Sequence, residues 1–410
     1  MNSKPRHAHM SQFPIVAGEL VIGGKPVTQL AAEVGQTPFY AYNRAVINAQ
    51  VDKLRTALPP SIKLHYAIKA NPLPDLVAHI AGLVDGLDVA SGGELAVALA
   101  SGTNAHEISF AGPAKREAEL EAAVRAGVLL NVESFREVEL LAAISQRLSL
   151  PARVAVRVNP DFELKSSGMK MGGGPKPFGV DAENVPELLQ RIGELGLAFE
   201  GFHLFAGSQN LRAEAIVEAQ KLSFELALRL AEHAPAPVRT LNLGGGFGIP
   251  YFPGDTPLDL APIGANLAQL VERAKTALPQ AELVIELGRY LVGEAGVYVC
   301  RVVDRKVSRG QTFLVCDGGL HHHLAASGNF GQLIRKNYPV VIGNKAAPER
   351  TETVSVVGPL CTPLDILAER MELALALPGD LVVVYQSGAY GFTASPRDFL
   401  GHPQAKEILL

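Results

Sequence analysis

Eight short runs rich in β-branched and aromatic residues alternate with helical patterns between Lys63 and Arg289, and few architectures absorb such an alternation. The runs are KLHYAIKAN near Tyr66, GLDVAS near Asp88, ISFAG near Phe110, LLNVES near Val132, ARVAVRVNP near Val156, FEGFHLFAG near His203, TLNLGGGF near Leu243 and LVIELGR near Glu286. Seven helical segments separate them, among them GGELAVALASG, REAELEAAVRAG and EAIVEAQKLSFELALRLAEHA. The first five strands follow one another at roughly one compact strand–helix unit, and the later ones about twice as far apart, which predicts longer loops there. Alternating β and α requires a parallel sheet, and eight units predict closure into a (β/α)8 TIM barrel. An open doubly wound sheet is the alternative, but its glycine-rich turn should follow the first strand, whereas GGGFG follows the seventh.

Beyond Glu286 the pattern changes. AGVYVCRVVDRKV, QTFLVCDGG, TETVSVVGPLC and DLVVVYQSGAY read as strands joined by turns, so a second, all-β domain is expected. The N-terminal GELVIGGKPV is hairpin-like and should complete that domain. The expected boundaries are 1–37 for the N-terminal strands, 38–285 for the barrel and 286–410 for the β-domain, and 410 residues are ample for two cores. A net charge of −4 gives no reason to expect nucleic acid or an anionic membrane as partner. Apolar runs are too short and broken to span a bilayer, and the N-terminus lacks a hydrophobic signal core. Cys300, Cys316 and Cys361 form neither a disulfide framework nor a metal-ligand spacing, so a reducing, cytoplasmic location is expected.

In such a barrel the C-terminal strand ends build one functional face. Read along the chain, those ends supply Lys69 and Asn71, Asp88 and Ser91, Arg157 and Asn159, His203 with Ser208, Gly244–Gly246, and Glu286 with Arg289. Lys69 is therefore one member of a converging set. These types suit a phosphate-bearing, aldehyde-type cofactor. GGGFG lets backbone N–H groups approach a phosphate without Cβ interference, and a following helix N-terminus is expected to add positive potential. A buried amine near a cation becomes a nucleophile able to condense with an aldehyde. Glu286 could hold a ring nitrogen protonated, which would make pyridoxal phosphate a strong electron sink; an ordinary ion pair with Arg289 is the bland alternative.

YAIKAN, GLDVASGGEL, VRVNP, NLGGGFG, ELGRY, GPLCTPLDIL and GAYGFTASP, in this order from about Phe39 to the C-terminus, resemble the fold-type III pyridoxal-phosphate-dependent decarboxylases, the family of diaminopimelate decarboxylase and the eukaryotic-type ornithine decarboxylases. The resemblance implies an alanine-racemase-like barrel with a β-domain, acting as a homodimer with shared active sites. It implies that Lys69 joins the cofactor and that Glu286 pairs its ring nitrogen. Gly245, Gly246, Ser208 and the Gly288–Arg289 turn would hold the phosphate. Asp88 and Arg157 would order the lysine and the cofactor's hydroxyl side, and Tyr390 would reach the cofactor from the β-domain. Cys361 would come from the partner subunit and protonate the carbon left after carbon dioxide departs, while Cys300 and Cys316 read as small buried hydrophobes.

This chain departs from the family pattern at three places. Phe205 stands where relatives stack a histidine on the cofactor, with His203 on the same strand face two residues earlier. Thr362 replaces the glutamate that reads a distal ammonium in diaminopimelate decarboxylases, a loss of roughly 1.5–3 kcal/mol for such a substrate. Arg335 and Tyr338 in IRKNYP remain as candidate readers of a distal carboxylate or phosphate, at altered spacing. The resemblance thus leans toward a side branch that acts on amino acids attached to carrier proteins or accompanies exosortase systems. The rivals are a racemase, for which Tyr338 or Tyr390 would be the second base, and a non-catalytic homologue that binds a protein partner. The His321–His323 triplet is not expected to hold metal, because adjacent side chains point apart and no carboxylate or cysteine cluster accompanies them.

Overall fold

The computed structural model describes residues 5–163, 169–170, 172–332 and 334–410. The chain divides into two compact units.

One unit spans Val51–Gly248 and Leu258–Gly288. Its strands are β1 (Lys63–Ala67), β2 (Gly86–Val89), β3 (Ile108–Phe110), β4 (Leu129–Val132), β5 (Arg153–Asn159), β6 (Ala198–Leu204), β7 (Thr240–Gly245) and β8 (Glu282–Leu287). All are parallel, and β8 pairs with β1 while β5 pairs with both β4 and β6, so the sheet closes into the eight-stranded barrel that the alternation predicts. The helices between consecutive strands are α1 (Pro74–Ala81), α2 (Gly92–Ala100), α3 (Glu117–Ala126), α4 (Phe135–Leu148), α5 (Val185–Glu194), α6 (Ala213–Ala231) and α7 (Ala261–Ala277). Period two sorts each strand between core and lumen. Leu64 and Tyr66 of β1, like Leu283, Ile285 and Leu287 of β8, are buried and alternate with His65 and Glu286.

Two of the strand-to-helix turns use one local device. Ser91 accepts from Glu94 N at 3.2 Å while Glu94 Oε2 accepts from Ala90 N at 2.7 Å. Ser134 and Glu137 repeat the pattern, with Glu137 Oε2 taking Glu133 N at 2.7 Å. This S-x-x-E capping arrangement satisfies helix-start donors and fixes where β2 and β4 deliver their last residues.

The other unit contains the chain up to Gln50, Ile249–Pro257 and Arg289–Leu410. Its sheet runs Val340–Ile342, Leu381–Val384, Gly296–Ser308, Gln311–Cys316, Thr351–Val357 and Ile366–Ala374. As expected, the N-terminal hairpin completes this unit: Leu20, Ile22 and Val27 share a core with Val297, Val299 and Val383. The unit also takes in Phe39–Tyr42, beyond the expected boundary at residue 37. That strand pairs with Gly296–Val299 on one side and Lys406–Leu409 on the other, which buries all four of its residues. Cys300 and Cys316 are buried free thiols, and Cys361 is exposed.

His321, His322 and His323 are fully buried in this unit. His323 Nε2 donates to Ser387 Oγ at 2.9 Å and Nδ1 accepts from Ala326 N at 3.2 Å, which fixes a neutral ring. Burial holds His323 down to about 3, and His321 and His322 to about 3 and 4. The unfolded chain takes up these protons near pH 6.5 and the folded chain does not. Stability is therefore complete above that pH and falls below it, by roughly 1.4 kcal/mol per pH unit for His323 alone. Urea unfolding at pH 7.5 and 5.5 checks this: a lower midpoint is expected at pH 5.5, and equal midpoints would contradict it.

Candidate active site

The barrel unit gathers most of the predicted residues at the C-terminal ends of its strands. Lys69 lies in the single 3-10 turn Ile68–Ala70 that directly follows β1. Its Nζ is 3.7 Å from Glu286 Oε1 and 5.4 Å from the centre of the Phe205 ring. Glu286, on β8, is buried, and its Oε2 accepts from His203 Nε2 at 3.0 Å. Burial alone would raise this carboxyl, but the His203 hydrogen bond and the Lys69 charge outweigh it and hold the group well below the usual carboxylate range. The site therefore carries a permanent buried anion next to a primary amine.

Glycine makes the adjoining cradle possible. A Cβ on Gly246, at φ +74, would lie 2.2 Å from Gly207 O, and one on Gly245 would lie 2.0 Å from Glu286 O. The bare backbone brings β7 against the end of β8 and sets Gly246 beside the Gly207–Ser208 segment. Gly288 likewise packs where a Cβ would meet Ala70 Cβ at 2.9 Å. The expected helix N-terminus after the glycine run is not there. The chain continues through an irregular segment, and α7 starts only at Ala261, so the cradle rests on backbone and Ser208.

Asp88 and Arg157 are oriented by neighbours that sequence reasoning passed over. Asp88 Oδ1 accepts from Ser109 Oγ at 2.5 Å and from His65 Nδ1 at 3.2 Å. Arg157 Nη1 donates to Glu133 Oε1 at 3.0 Å, and its guanidinium lies over Phe178. Glu133 also accepts from Gly112 N and Gly179 N. His65 was visible in principle, since it alternates with Lys63 and Ala67 on the lumen face. Glu133 carried no such signal.

The β-unit holds the remaining residues. Arg289 Nη1 donates to Tyr251 Oη at 3.0 Å, and its guanidinium lies 4.6 Å from the Tyr390 ring centre. Tyr390 has φ +54, a conformation uncommon for a bulky residue. Tyr251, which no motif marked, packs tilted against Tyr338 with ring centres 4.6 Å apart. Arg335 and Tyr338, expected at a substrate's distal end, are both engaged within this unit. Arg335 donates to Ser327 O, Asn337 Oδ1 and Ile366 O, so it is an internal brace, and Tyr338 is buried in aromatic packing. Thr362 is half-buried, and its Oγ1 accepts from Leu364 N at 3.3 Å.

A family model for the pyridoxal-binding domain of pyridoxal-dependent decarboxylases matches residues 44–293, well over half of the chain. The chain belongs to this family. A curated L-glutamyl-[BtrI acyl-carrier protein] decarboxylase from Niallia circulans is 39% identical over 91% of this chain and 89% of its own length. A diaminopimelate decarboxylase from Aquifex aeolicus is 33% identical over 96% of this chain and 91% of its own. The crystal structure of a diaminopimelate decarboxylase from M. jannaschii superposes with a TM-score of 0.89 over 97% of this chain and 92% of that one; at 24% identity it speaks for the fold alone. This pyridoxal-dependent decarboxylase is thus a carboxy-lyase that acts on an amino acid or amino-acid derivative with pyridoxal phosphate as cofactor.

The residues present fit that cofactor. An amine beside an ionised buried carboxylate, an aromatic ring flanking the amine, and a glycine cradle no side chain could share match its aldehyde, ring and phosphate. His203 Nδ1 is buried without a hydrogen-bond partner, a vacancy in the polar accounting at this face. Among the described residues no helix is long and apolar enough to cross a membrane.

Proposed function

We propose that this decarboxylase removes the α-carboxylate of an amino acid whose side-chain end is tethered to a carrier protein. The α-amino and α-carboxyl groups must both be free for the chemistry, so a tether has to use the distal end, and a tethered end bears no ammonium. One observation carries the reading: the Cys361–Leu364 turn offers no carboxylate for such an ammonium. Thr362 stands at the key position, and the first acid, Asp365, is buried with both oxygens taken by Leu320 N at 2.6 Å and Leu360 N at 2.8 Å. The Niallia circulans relative, named for an acyl-carrier-bound glutamyl group, supports it.

When bound, pyridoxal phosphate withdraws electrons from the Cα–carboxylate bond as it breaks. In this reading the chain's own residues do the rest. Lys69 holds the cofactor covalently and exchanges protons at its Nζ. Glu286, kept ionised by His203, would pair the ring nitrogen and keep it protonated. Phe205 provides an apolar stacking face. Gly245, Gly246, Ser208 and the Gly288–Arg289 turn would hold the phosphate, Asp88 and Arg157 would order the lysine and the cofactor's hydroxyl side, and Tyr390 would contact the cofactor. The exposed thiol of Cys361, or the amine of Lys69, would deliver the proton to Cα.

We propose further that two copies associate, each lending Cys361 to the other. Phe330, Ile334 and Leu364 are exposed apolar side chains of the unit that carries Cys361, and Asn329 Nδ2 ties that segment to Leu364 O. A second copy would cover them. A cytoplasmic setting, where a thiol stays reduced, fits the role given to Cys361.

The test is release of labelled carbon dioxide from two substrates, free meso-diaminopimelate and an aminoacyl group on a carrier-protein thioester. Turnover of the tethered substrate about 10- to 10²-fold more efficient than of the free one is expected, the size of a lost charge-assisted contact. Ordinary turnover of free diaminopimelate would overturn the tethered reading.

A further inference from the structure

The barrel buries His65, Asp88, Ser109, Asn131, Arg157, His203 and Glu286 on its strands, where branched aliphatic side chains usually fill such barrels. At the N-terminal strand ends, opposite the face that carries Lys69, lies a cavity of about 470 Å³ rimmed by charged side chains. Lys63 pairs there with Glu107 at 2.9 Å and Glu282 at 3.0 Å, and Arg153 with Glu200 at 3.2 Å. His65 and Ser109 line the cavity's inner end. His65 is 7% exposed, and its Nε2 has no hydrogen-bond partner. Its Nδ1 donates to Asp88 Oδ1, which also takes Ser109 Oγ, and Asn131 Nδ2 donates to Ser109 Oγ at 3.2 Å. Asp88 Oδ2 is again buried without a partner.

Orphaned polar atoms of this kind are costly unless water reaches them. Two of them belong to one hydrogen-bonded pair, of which His65 lines the cavity. Strand register gives the order along the barrel: His65 is level with Gly86, and Asp88, two residues further on, is level with Ala67, two residues before Lys69. Glu286 sits level with His65 on the neighbouring strand.

We infer that His65 and Asp88 form a rear proton route that connects solvent in this cavity with the amine of Lys69. The inference rests on the reading of Lys69 given above. Decarboxylation replaces carbon dioxide by one proton per turnover, so the proton donors must be recharged each cycle. A tethered substrate fills the front of the site, which makes a second entrance useful. A proton enters at His65 Nε2 as the Nδ1 proton passes to Asp88 Oδ1, and the carboxyl then turns and hands that proton from Oδ2, through a bridging water, to the Lys69 amine. The ring is left protonated at Nε2, and its return to the Nδ1–H form resets the pair, so that one proton has moved per cycle.

The charges facing His65 suit this. Lys63 precedes it on its own strand, and Asp88, Glu107 and Glu286 approach from other elements. Burial opposes charge on the ring, but Asp88 first, then Glu107 and Glu286, outweigh it and hold the imidazole above its ordinary value.

The experiment has a turnover arm and a spectroscopic arm. With the tethered substrate, His65→Gln should lower kcat by about 10²-fold with little change in KM, as loss of one proton-transfer group does, and should enlarge the solvent deuterium isotope effect. His65→Gly should regain rate when imidazole is added, since the cavity can admit it, with rescue following the basicity of substituted imidazoles. Unchanged kcat and isotope effect in folded His65→Gln would overturn the route. Nitrogen NMR of the cofactor-free protein needs no turnover: the His65 ring should titrate above the ordinary histidine value, and Asp88→Asn should abolish that elevation. A His65 ring that stays silent between pH 5 and 9 also overturns the inference. Failure of the unmodified enzyme to turn over the tethered substrate would count against the proposed function instead, and the NMR arm would still decide this one.

Discussion

Replacing Lys69 by alanine is expected to lower turnover by at least about 10³-fold in a protein that remains folded. Two independent losses combine. The covalent hold on the cofactor disappears, and so does a proton-transfer group of the type that contributes 10²–10⁴-fold by itself. Folding should survive because the Lys69 side chain is 43% exposed and packs no core. Its positive charge is removed from Glu286, yet the His203 hydrogen bond to that carboxylate persists. Carbon dioxide release at saturating cofactor, with far-ultraviolet circular dichroism as the folding control, measures the effect. Retention of even a tenth of the activity would place the covalent amine elsewhere.

Glu286→Gln should cost about 10²–10³-fold in kcat, the range seen when one preorganised electrostatic group is removed. The amide keeps the shape and can still accept from His203, but it carries no charge to hold a ring nitrogen protonated. Cofactor binding should weaken far less than turnover, because the phosphate cradle is built from glycines on other strand ends. The depressed carboxyl also predicts a pH behaviour. A group whose folded value lies below the ordinary ~4.3 contributes stability that is complete above ~4.3 and is lost only as pH falls toward the folded value. Glu286 therefore stays ionised across the working range, and any acid limb of the rate profile near pH 5–6 belongs to another group. An unchanged kcat in the Gln variant would remove Glu286 from the mechanism.

Much of this architecture was legible in the sequence because two periods reinforce each other. Each barrel strand announces itself by a short β-branched run, and its polar members fall on alternate residues that the barrel turns inward. Lys69, His203 and Glu286 could thus be assigned to one face before any coordinates, and the structure sets them within hydrogen-bonding or ion-pair reach. Phe39–Tyr42 was not assignable, because a buried four-residue run has no period of its own and the partners that claim it are far away in the chain. The bracing of Arg335 was hidden for a related reason. A surface arginine and a brace that donates to three separated oxygens look identical in a sequence, and only the return of Ser327 and Ile366 to its guanidinium tells them apart. The glycine run revealed the close strand approach but not that the following helix starts late. His65 carried a signal, its alternation with Lys63 and Ala67, yet nothing in sequence shows that Asp88 turns toward it.

The rival readings fare unequally on the same grounds. Of the two tyrosines a racemase could use as second base, Tyr338 is buried against Tyr251, with burial the largest of the effects that keep its hydroxyl well above the usual phenol value, and only the half-buried Tyr390 is left for that role. A non-catalytic homologue has no use for an amine, an ionised carboxylate and a glycine cradle held together, and the family to which the chain belongs is one of decarboxylases.

The most direct trial is chemical. The protein saturated with pyridoxal phosphate is reduced with borohydride, digested and mapped by mass spectrometry. Finding the pyridoxyl group on the side chain of Lys69 and on no other lysine is the predicted result. An unmodified Lys69, or a label distributed over surface lysines, would contradict the account at its root.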